Sequence, residues 1–204
     1  MAPNPPKYRR AHPDDRRGDL VEATLRCLAR DGHQGVSVRR IATEAGVSAG
    51  LVNHHFAGIE ALVAAAYEKV AGDVLAGIMA RVAHETVPRA RLSAFISASF
   101  SDAVLDPGLL KVWVVFWSLL PHAEPLKAIQ QSTFADYRRC LEADLAAAAP
   151  LGRPFAAADV ALGLAALMDG LWLAWCLDPA SYRPAEGIRI CETFVDDALA
   201  RAAR

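Results

Sequence analysis

Little in this chain points to catalysis or to a bound metal. Its four cysteines, at 27, 140, 176 and 191, form no CxxC pair and follow no regular spacing. That argues against a zinc site and against a disulfide framework. Cys27, Cys176 and Cys191 fall in apolar helical patterns, so buried free thiols in a reducing compartment are expected. No charge of one sign dominates: 22 Lys/Arg against 23 Asp/Glu leave a net charge of −1, so the chain as a whole is no polycation. No alternating apolar pattern lasts more than a few residues, which leaves no room for a sizeable sheet. The Pro-rich start lacks the apolar stretch of a signal peptide, and a cytoplasmic location is expected. The longest apolar run, Val160 to Leu177, contains Asp169 and is flanked by Asp159 and Asp178. A central carboxylate is costly in hydrocarbon, so this run reads as a buried helix with no membrane contact.

What is present is helix. Residues 1–12, with Pro3, Pro5 and Pro6, read as a flexible basic arm. Helical spacing then predicts a helix from Pro13 or Asp14 to Asp31, a short one over Val38–Ala45 capped by Ser37, and a third over Ala49–His55. A long helix follows over Ile59–His84 with Leu62, Ala66, Val70, Val74 and Ile78 on one side. Further helices start at Pro88 and Pro107, run over about 126–149, and reach Leu177 after the Pro150–Pro154 loop. The last one carries Ile188, Cys191, Val195 and Leu199. The fold class is therefore all-α with about nine helices, divided into an arm (1–12), a three-helix unit (13–58) and a larger helical body (59–204).

Charge is uneven along this plan. Residues 1–55 hold nine Lys/Arg against six acids, a balance of +3, while the remainder holds 13 against 17, a balance of −4. A basic front suits nucleic-acid contact there alone. Ala45 to Phe56, AGVSAGLVNHHF, packs a helix stop, a tight turn and a helix start into twelve residues. Gly46 supplies the left-handed backbone that ends one helix, and Ser48 caps the next. That is how a helix-turn-helix presents its second helix to a major groove. Leu25, Leu28, Ile41, Val47, Val52 and Phe56 are placed to form its hub, with Val47 plugging the turn. The candidate DNA contacts left outside are Ser37, Arg39, Arg40, Ser48, Ala49, Gly50, Leu51, Asn53, His54 and His55. Serine hydroxyls and helix N-termini bind phosphate, Asn53 suits adenine N6/N7, and the histidines can donate to bases or phosphates. A metal pair at His54 and His55 is disfavoured, since adjacent helical residues point about 100° apart and no third ligand stands at suitable spacing.

Val38 to Leu62, VRRIATEAGVSAGLVNHHFAGIEAL, resembles the TetR family of transcriptional regulators. The resemblance implies an all-helical homodimer with an N-terminal DNA-binding unit and a ligand-sensing body. Two positions depart from the family pattern: Asn53 replaces a usual aromatic, and Ile59 a frequent lysine. They imply weaker backbone anchoring there, or its transfer to Arg39, Arg40 and the arm. Leu110–Leu126, LKVWVVFWSLLPHAEPL, and Gly163–Trp175, GLAALMDGLWLAW, are similar to the choline-responsive BetI branch. That similarity implies a quaternary ammonium inducer.

The residues offer a physical means. Trp113, Phe116, Trp117 and Leu120 share one helical face and Asp169 and Trp172 another, with Tyr137 and Phe134 available to close a box. Aromatic faces attract quaternary ammonium ions, and a buried Asp balances the charge. Such stripes also serve as plain core, and Asp169 has the alternative of an Arg or backbone N–H partner at a subunit interface. The expectation is a ligand-released repressor of a palindromic operator in double-stranded DNA, dimeric through its last two helices, without cofactor, catalytic residue or metal. A different apolar or aromatic inducer is the alternative. The rival classes are a helical enzyme or carrier, which lacks a nucleophile–base pair, and a DNA-bending protein, which lacks basic charge beyond the front.

Overall fold

Local capping residues set several of the helix boundaries. The computed structural model describes residues 13–203, and the arm expected at 1–12 lies outside them. Helix α1 (Pro13–Asp31) stops where Gly32 turns to a φ of +58°, and a 3₁₀ turn, Gly32–Gly35, follows. Helix α2 (Val38–Glu44) starts at Ser37, whose Oγ accepts from the Arg40 N–H at 3.3 Å. It ends in a Schellman turn: Gly46 N–H donates to Thr43 O and Val47 N–H to Ala42 O, with Gly46 at a φ of +67° that side chains disfavour. Helix α3 (Ala49–His55) is capped by Ser48, which accepts from Leu51 N–H at 3.2 Å. Helix α4 (Ile59–Val82) follows.

The remaining helices are α5 (Pro88–Ser99), α6 (Pro107–Leu119), α7 (Glu124–Ala148), α8 (Ala157–Leu177) and α9 (Pro184–Ala203), with a 3₁₀ turn at Leu120–His122 before α7. No strand occurs among the described residues. Packing divides the chain between Ala66 and Tyr67, inside α4. The opening turns of α4 thus group with α1–α3, because Leu62, Val63 and Ala66 are buried there.

In the first unit α1 packs on α2, and α2 on α3. Leu20, Cys27, Leu28, Ile41 and Val52 are almost wholly buried, each of the Leu, Ile and Val side chains contributing about 1.5–3 kcal/mol. Val47 is only half-buried, so the turn is plugged less deeply than its sequence position suggests.

In the second unit α7 packs between α5 and α8, and α9 against α5 and α8. Phe95, Leu141, Leu164, Met168, Cys191 and Val195 make its centre. Arg91 ties three elements: Nε meets Asp144 at 2.6 Å, and Nη1 caps the end of α4 at the Val82 and Glu85 carbonyls. Arg89 joins α5 to Glu192 and Asp196 of α9. Cys191, as expected, and Val195 are fully buried within the chain. They face inward because α9 lays that side on α5 and α8. Cys176, expected to be buried, is half-buried, and all four thiols are free.

Helix α8 is long and apolar enough to cross a bilayer by length and composition alone. It instead lays Ala161, Leu164, Ala165, Met168 and Trp172 into the core. Close approach at the start of α9 rests on Gly187, where a Cβ would lie 2.6 Å from Phe100 Cε1 and 3.0 Å from Tyr182 Cε2. Phe100 is buried and has no room to yield. Gly187→Ala is therefore expected to destabilise the fold by about 1–3 kcal/mol, despite alanine's better helix propensity, read as a lower denaturation midpoint at an unchanged m-value.

Candidate DNA interface and ligand cavity

The face formed by α2 and α3 presents most of the expected contacts to solvent. Arg39, Arg40, Ser48, Ala49, Gly50, Asn53 and His54 are exposed, whereas Ser37, Leu51 and His55 are half-buried. Both cap serines use Oγ as an acceptor, which leaves each hydroxyl proton able to donate elsewhere. His54 and His55 meet edge to face at 5.3 Å between centroids.

Arg17 was not anticipated. Its Nη1 donates to the His55 carbonyl at 2.9 Å, and its guanidinium lies 4.2 Å above the Phe56 ring. It thereby pins the end of α3 to α1, a long-range contact that no spacing rule could reveal. Arg40 is exposed as expected, and its Nη1 also pairs with Asp31 at 3.3 Å.

In the second unit a partly open cavity of about 80 Å³ is lined from four helices. Tyr67, Ala71, Val74 and Leu75 come from α4, Trp113 and Trp117 from α6, Gln130, Thr133, Phe134 and Tyr137 from α7, and Asp169 and Trp172 from α8. Five of the six expected ligand residues, Trp113, Trp117, Tyr137, Asp169 and Trp172, therefore meet on one space, together with Phe134. Phe116 does not. It is fully buried and packs edge-on against Tyr67 at 5.1 Å, behind the wall. A helical face about 100° wide includes both Phe116 and Trp117, but only the neighbour on α4 decides which ring looks inward.

Tyr67, Gln130 and Thr133 escaped the sequence reading. The i, i+3, i+4, i+7 set 130, 133, 134 and 137 on α7 would have revealed two of them, had its polar members not read as surface.

The aromatic wall is fixed by contacts among its own rings and with residues behind them. Tyr67 stands at 87° to Trp113 with 5.2 Å between centroids, and Tyr137 packs on Phe95 at 5.0 Å. Trp172 Nε1 donates to Ser99 O at 2.9 Å. Burial pushes the Tyr67 phenol up to about 12, with Thr133 hydrogen bonding partly offsetting it. The Tyr137 phenol is pushed far up by burial, and both tyrosines therefore remain neutral.

Asp169 is the one charged group on the wall, with no Lys, Arg or His beside it. It makes no hydrogen bond or ion pair among the described residues. Burial alone pushes its carboxyl up to about 6. A mostly ionised carboxylate at neutral pH, ringed by indole and phenol faces, is suited to a cation without N–H donors.

The BetI-type transcriptional repressor C-terminal family matches residues 88–200, and the N-terminal family of tetR bacterial regulatory proteins matches residues 20–66. The HTH-type transcriptional regulator BetI of Burkholderia thailandensis is 33% identical over 91% of this chain and 94% of its own length. A transcriptional regulator of Pseudomonas aeruginosa PAO1 superposes with a TM-score of 0.86 at 43% identity, covering 94% of this chain and 93% of that one. A Saccharomonospora viridis regulator solved in complex with choline has a TM-score of 0.77 at 18% identity, covering 90% of this chain and 96% of its own; at that identity it shows the fold alone. The family is one of transcription regulators and not of enzymes. The chain belongs to the TetR family of bacterial transcriptional regulators and carries a BetI-type C-terminal domain.

Proposed function

We propose that this regulator is a cytoplasmic repressor, released from a palindromic operator when choline or another quaternary ammonium compound enters the aromatic cavity. The observation that carries this reading is Asp169: an unpaired carboxylate in a cavity whose other walls are aromatic or neutral. A permanent cation offsets the desolvation cost of that carboxylate, and each tryptophan or tyrosine face adds about 0.5–2 kcal/mol. The Saccharomonospora viridis neighbour, described with choline, is consistent with the same ligand class.

Residues 13–58, together with the first turns of α4, serve as the reading head, and the rest of the chain to 204 as the sensing body. Asn53 and His54 on α3 meet base edges, while Ser37, Ser48 and Arg39 hold phosphates. Ala49 and Gly50 permit close approach, and Leu51 and His55 flank the contact from half-buried positions. Two copies are required to span two half-sites, about 34–36 Å apart. The surface for pairing is an apolar stripe on α8, where Leu162, Ala166, Gly170, Leu173, Ala174 and Leu177 are all exposed. Ile190 of α9 is also exposed. A second copy of the same stripe covers it by two-fold symmetry.

Two states of different operator affinity, biased by the cation, give the switch. Titration with choline is expected to give a saturable change in tryptophan fluorescence, because Trp113, Trp117 and Trp172 all line the cavity. No saturable change at millimolar choline removes the quaternary ammonium ligand and leaves the alternative, an apolar or aromatic inducer.

A further inference from the structure

Arg39 and Arg40 are adjacent and both exposed, yet their surroundings differ. Arg40 is the end of a chain of five ion-paired residues. Arg26 Nε meets Glu44 Oε1 at 2.8 Å, and Arg30 Nη1 meets Glu44 Oε2 at 2.8 Å. Arg30 then grips Asp31 through Nε and Nη2, each at 3.0 Å, and Arg40 Nη1 closes on Asp31 Oδ2 at 3.3 Å. Arg26, Arg30 and Asp31 stand on α1, and Arg40 and Glu44 on α2, so the chain runs back and forth between the two helices. Arg39 edges the same recess but pairs with neither acid; its carbonyl accepts from Thr43 Oγ1 at 2.9 Å.

We infer that Arg40 is a positioning residue, held with Glu44 and Asp31 in an ionic ladder that fixes α2 on α1, and that Arg39 alone of the pair contacts phosphate. The inference rests on the DNA-binding reading above. A single exposed ion pair contributes little. This ladder differs in that both Glu44 oxygens are used and the planar Arg30 guanidinium serves both acids at once. The acids are its sheltered members, with side chains 21% and 23% exposed against 51–57% for the three arginines. Arg30 hydrogen bonding is also the main cause that holds the Asp31 and Glu44 carboxyls below their ordinary range. Displacing Arg40 toward a phosphate would leave Asp31 with Arg30 alone. The setting of α2 matters to DNA because the Schellman turn at its end leads directly into α3, so a shift of α2 re-aims Asn53. Arg39 has no such tie and is free to take a backbone phosphate.

Salt dependence separates the two roles. The probe is a duplex selected by the wild-type protein from a random-sequence pool, and affinity is measured from 50 to 300 mM salt. Arg39→Gln is expected to make the log K against log salt slope shallower by about 0.9, one phosphate contact, without moving the melting temperature. Arg40→Gln and Glu44→Gln are expected to weaken binding at an unchanged slope. They should also lower the melting temperature by about 1–4 °C, a loss that shrinks at molar salt. Arg39 and Arg40 are exposed, and Glu44→Gln keeps the shape of a half-buried side chain, so the variants remain folded. An Arg40→Gln protein that loses as much slope as Arg39→Gln and melts like wild type overturns the inference. If the wild type selects no duplex, the DNA-binding reading fails separately. The ladder is then decided by melting alone: loss in Arg40→Gln and Glu44→Gln sustains it, and wild-type melting overturns it.

Discussion

Asp169→Asn is expected to remove choline binding while making the unliganded protein more stable. The carboxylate is the one charge on the cavity wall and has no internal partner. Its loss leaves a cation desolvated among aromatic rings without a counter-charge. A drop of about 100-fold or more in affinity follows, equivalent to about 3 kcal/mol. The gain in stability has the same origin. Burial raises the carboxyl from 3.8 to about 6, so at neutral pH the folded state carries a charge it would rather lose. Screening by the partly open cavity reduces the corresponding penalty to about 1–2 kcal/mol.

The sign with pH follows from linkage. Because the folded-state value is raised for an acid, the folded state binds the proton more readily than the unfolded chain between about 4 and 6. Asp169's contribution to stability therefore falls as pH rises through that window, and its penalty is full and constant above about 6. The sheltered carboxyls Asp31, Glu44 and Glu186, held low by arginine or backbone partners, act with the opposite sign. The difference between wild type and Asp169→Asn isolates the term. Ligand binding runs the other way, since the cation needs the ionised carboxylate. Choline affinity should be about tenfold weaker at pH 5 than at pH 7, and flat with pH for any residual binding in the variant. Isothermal titration at several pH values measures both. Undiminished affinity in Asp169→Asn would remove this carboxylate from the site.

Phe116→Ala is expected to cost about 3–5 kcal/mol of stability, as deletion of a fully buried ring usually does. For a domain of this size that is a fall of roughly 10 °C in melting temperature. The ring packs on Tyr67 and lies near Trp113 at 6.1 Å, so its removal lets the cavity wall sag. Trp117→Leu should behave in the opposite manner. Trp117 is only half-buried and its face lines the cavity, so choline affinity falls severalfold while stability hardly moves. Thermal denaturation beside fluorescence or calorimetric titration distinguishes the two. A Phe116→Ala protein that melts like wild type but no longer binds would show that Phe116 belongs to the cavity after all.

These two residues illustrate where the sequence reading stopped. Trp113, Phe116 and Trp117 obey one helical spacing, and periodicity cannot rank members of one face. Phe116 is turned away by Tyr67, a residue from another helix about fifty positions earlier. Tyr67 itself sits between an alanine and a glutamate in α4, where no local pattern marks it. Gln130 and Thr133 look like ordinary surface residues until α7 is seen to share a cavity with α4, α6 and α8. Arg40 was legible as a base beside a reading helix, but not as the partner of Asp31, because the pairing depends on how α2 lies across α1. By contrast, the turn at Gly46 and the caps at Ser37 and Ser48 are local, and their hydrogen bonds join residues five or fewer positions apart.

The few cysteines, the lack of alternating strands, the basic front and the AGVS turn determined an all-helical chain with a DNA-reading head. Each of these is a property of composition or of short-range backbone geometry. Which aromatic rings face a common space, which arginine is tied, and which side of α8 remains uncovered were decided only by tertiary structure. Those features depend on contacts between helices far apart in sequence, and a helix's own periodicity identifies a face without saying what it meets.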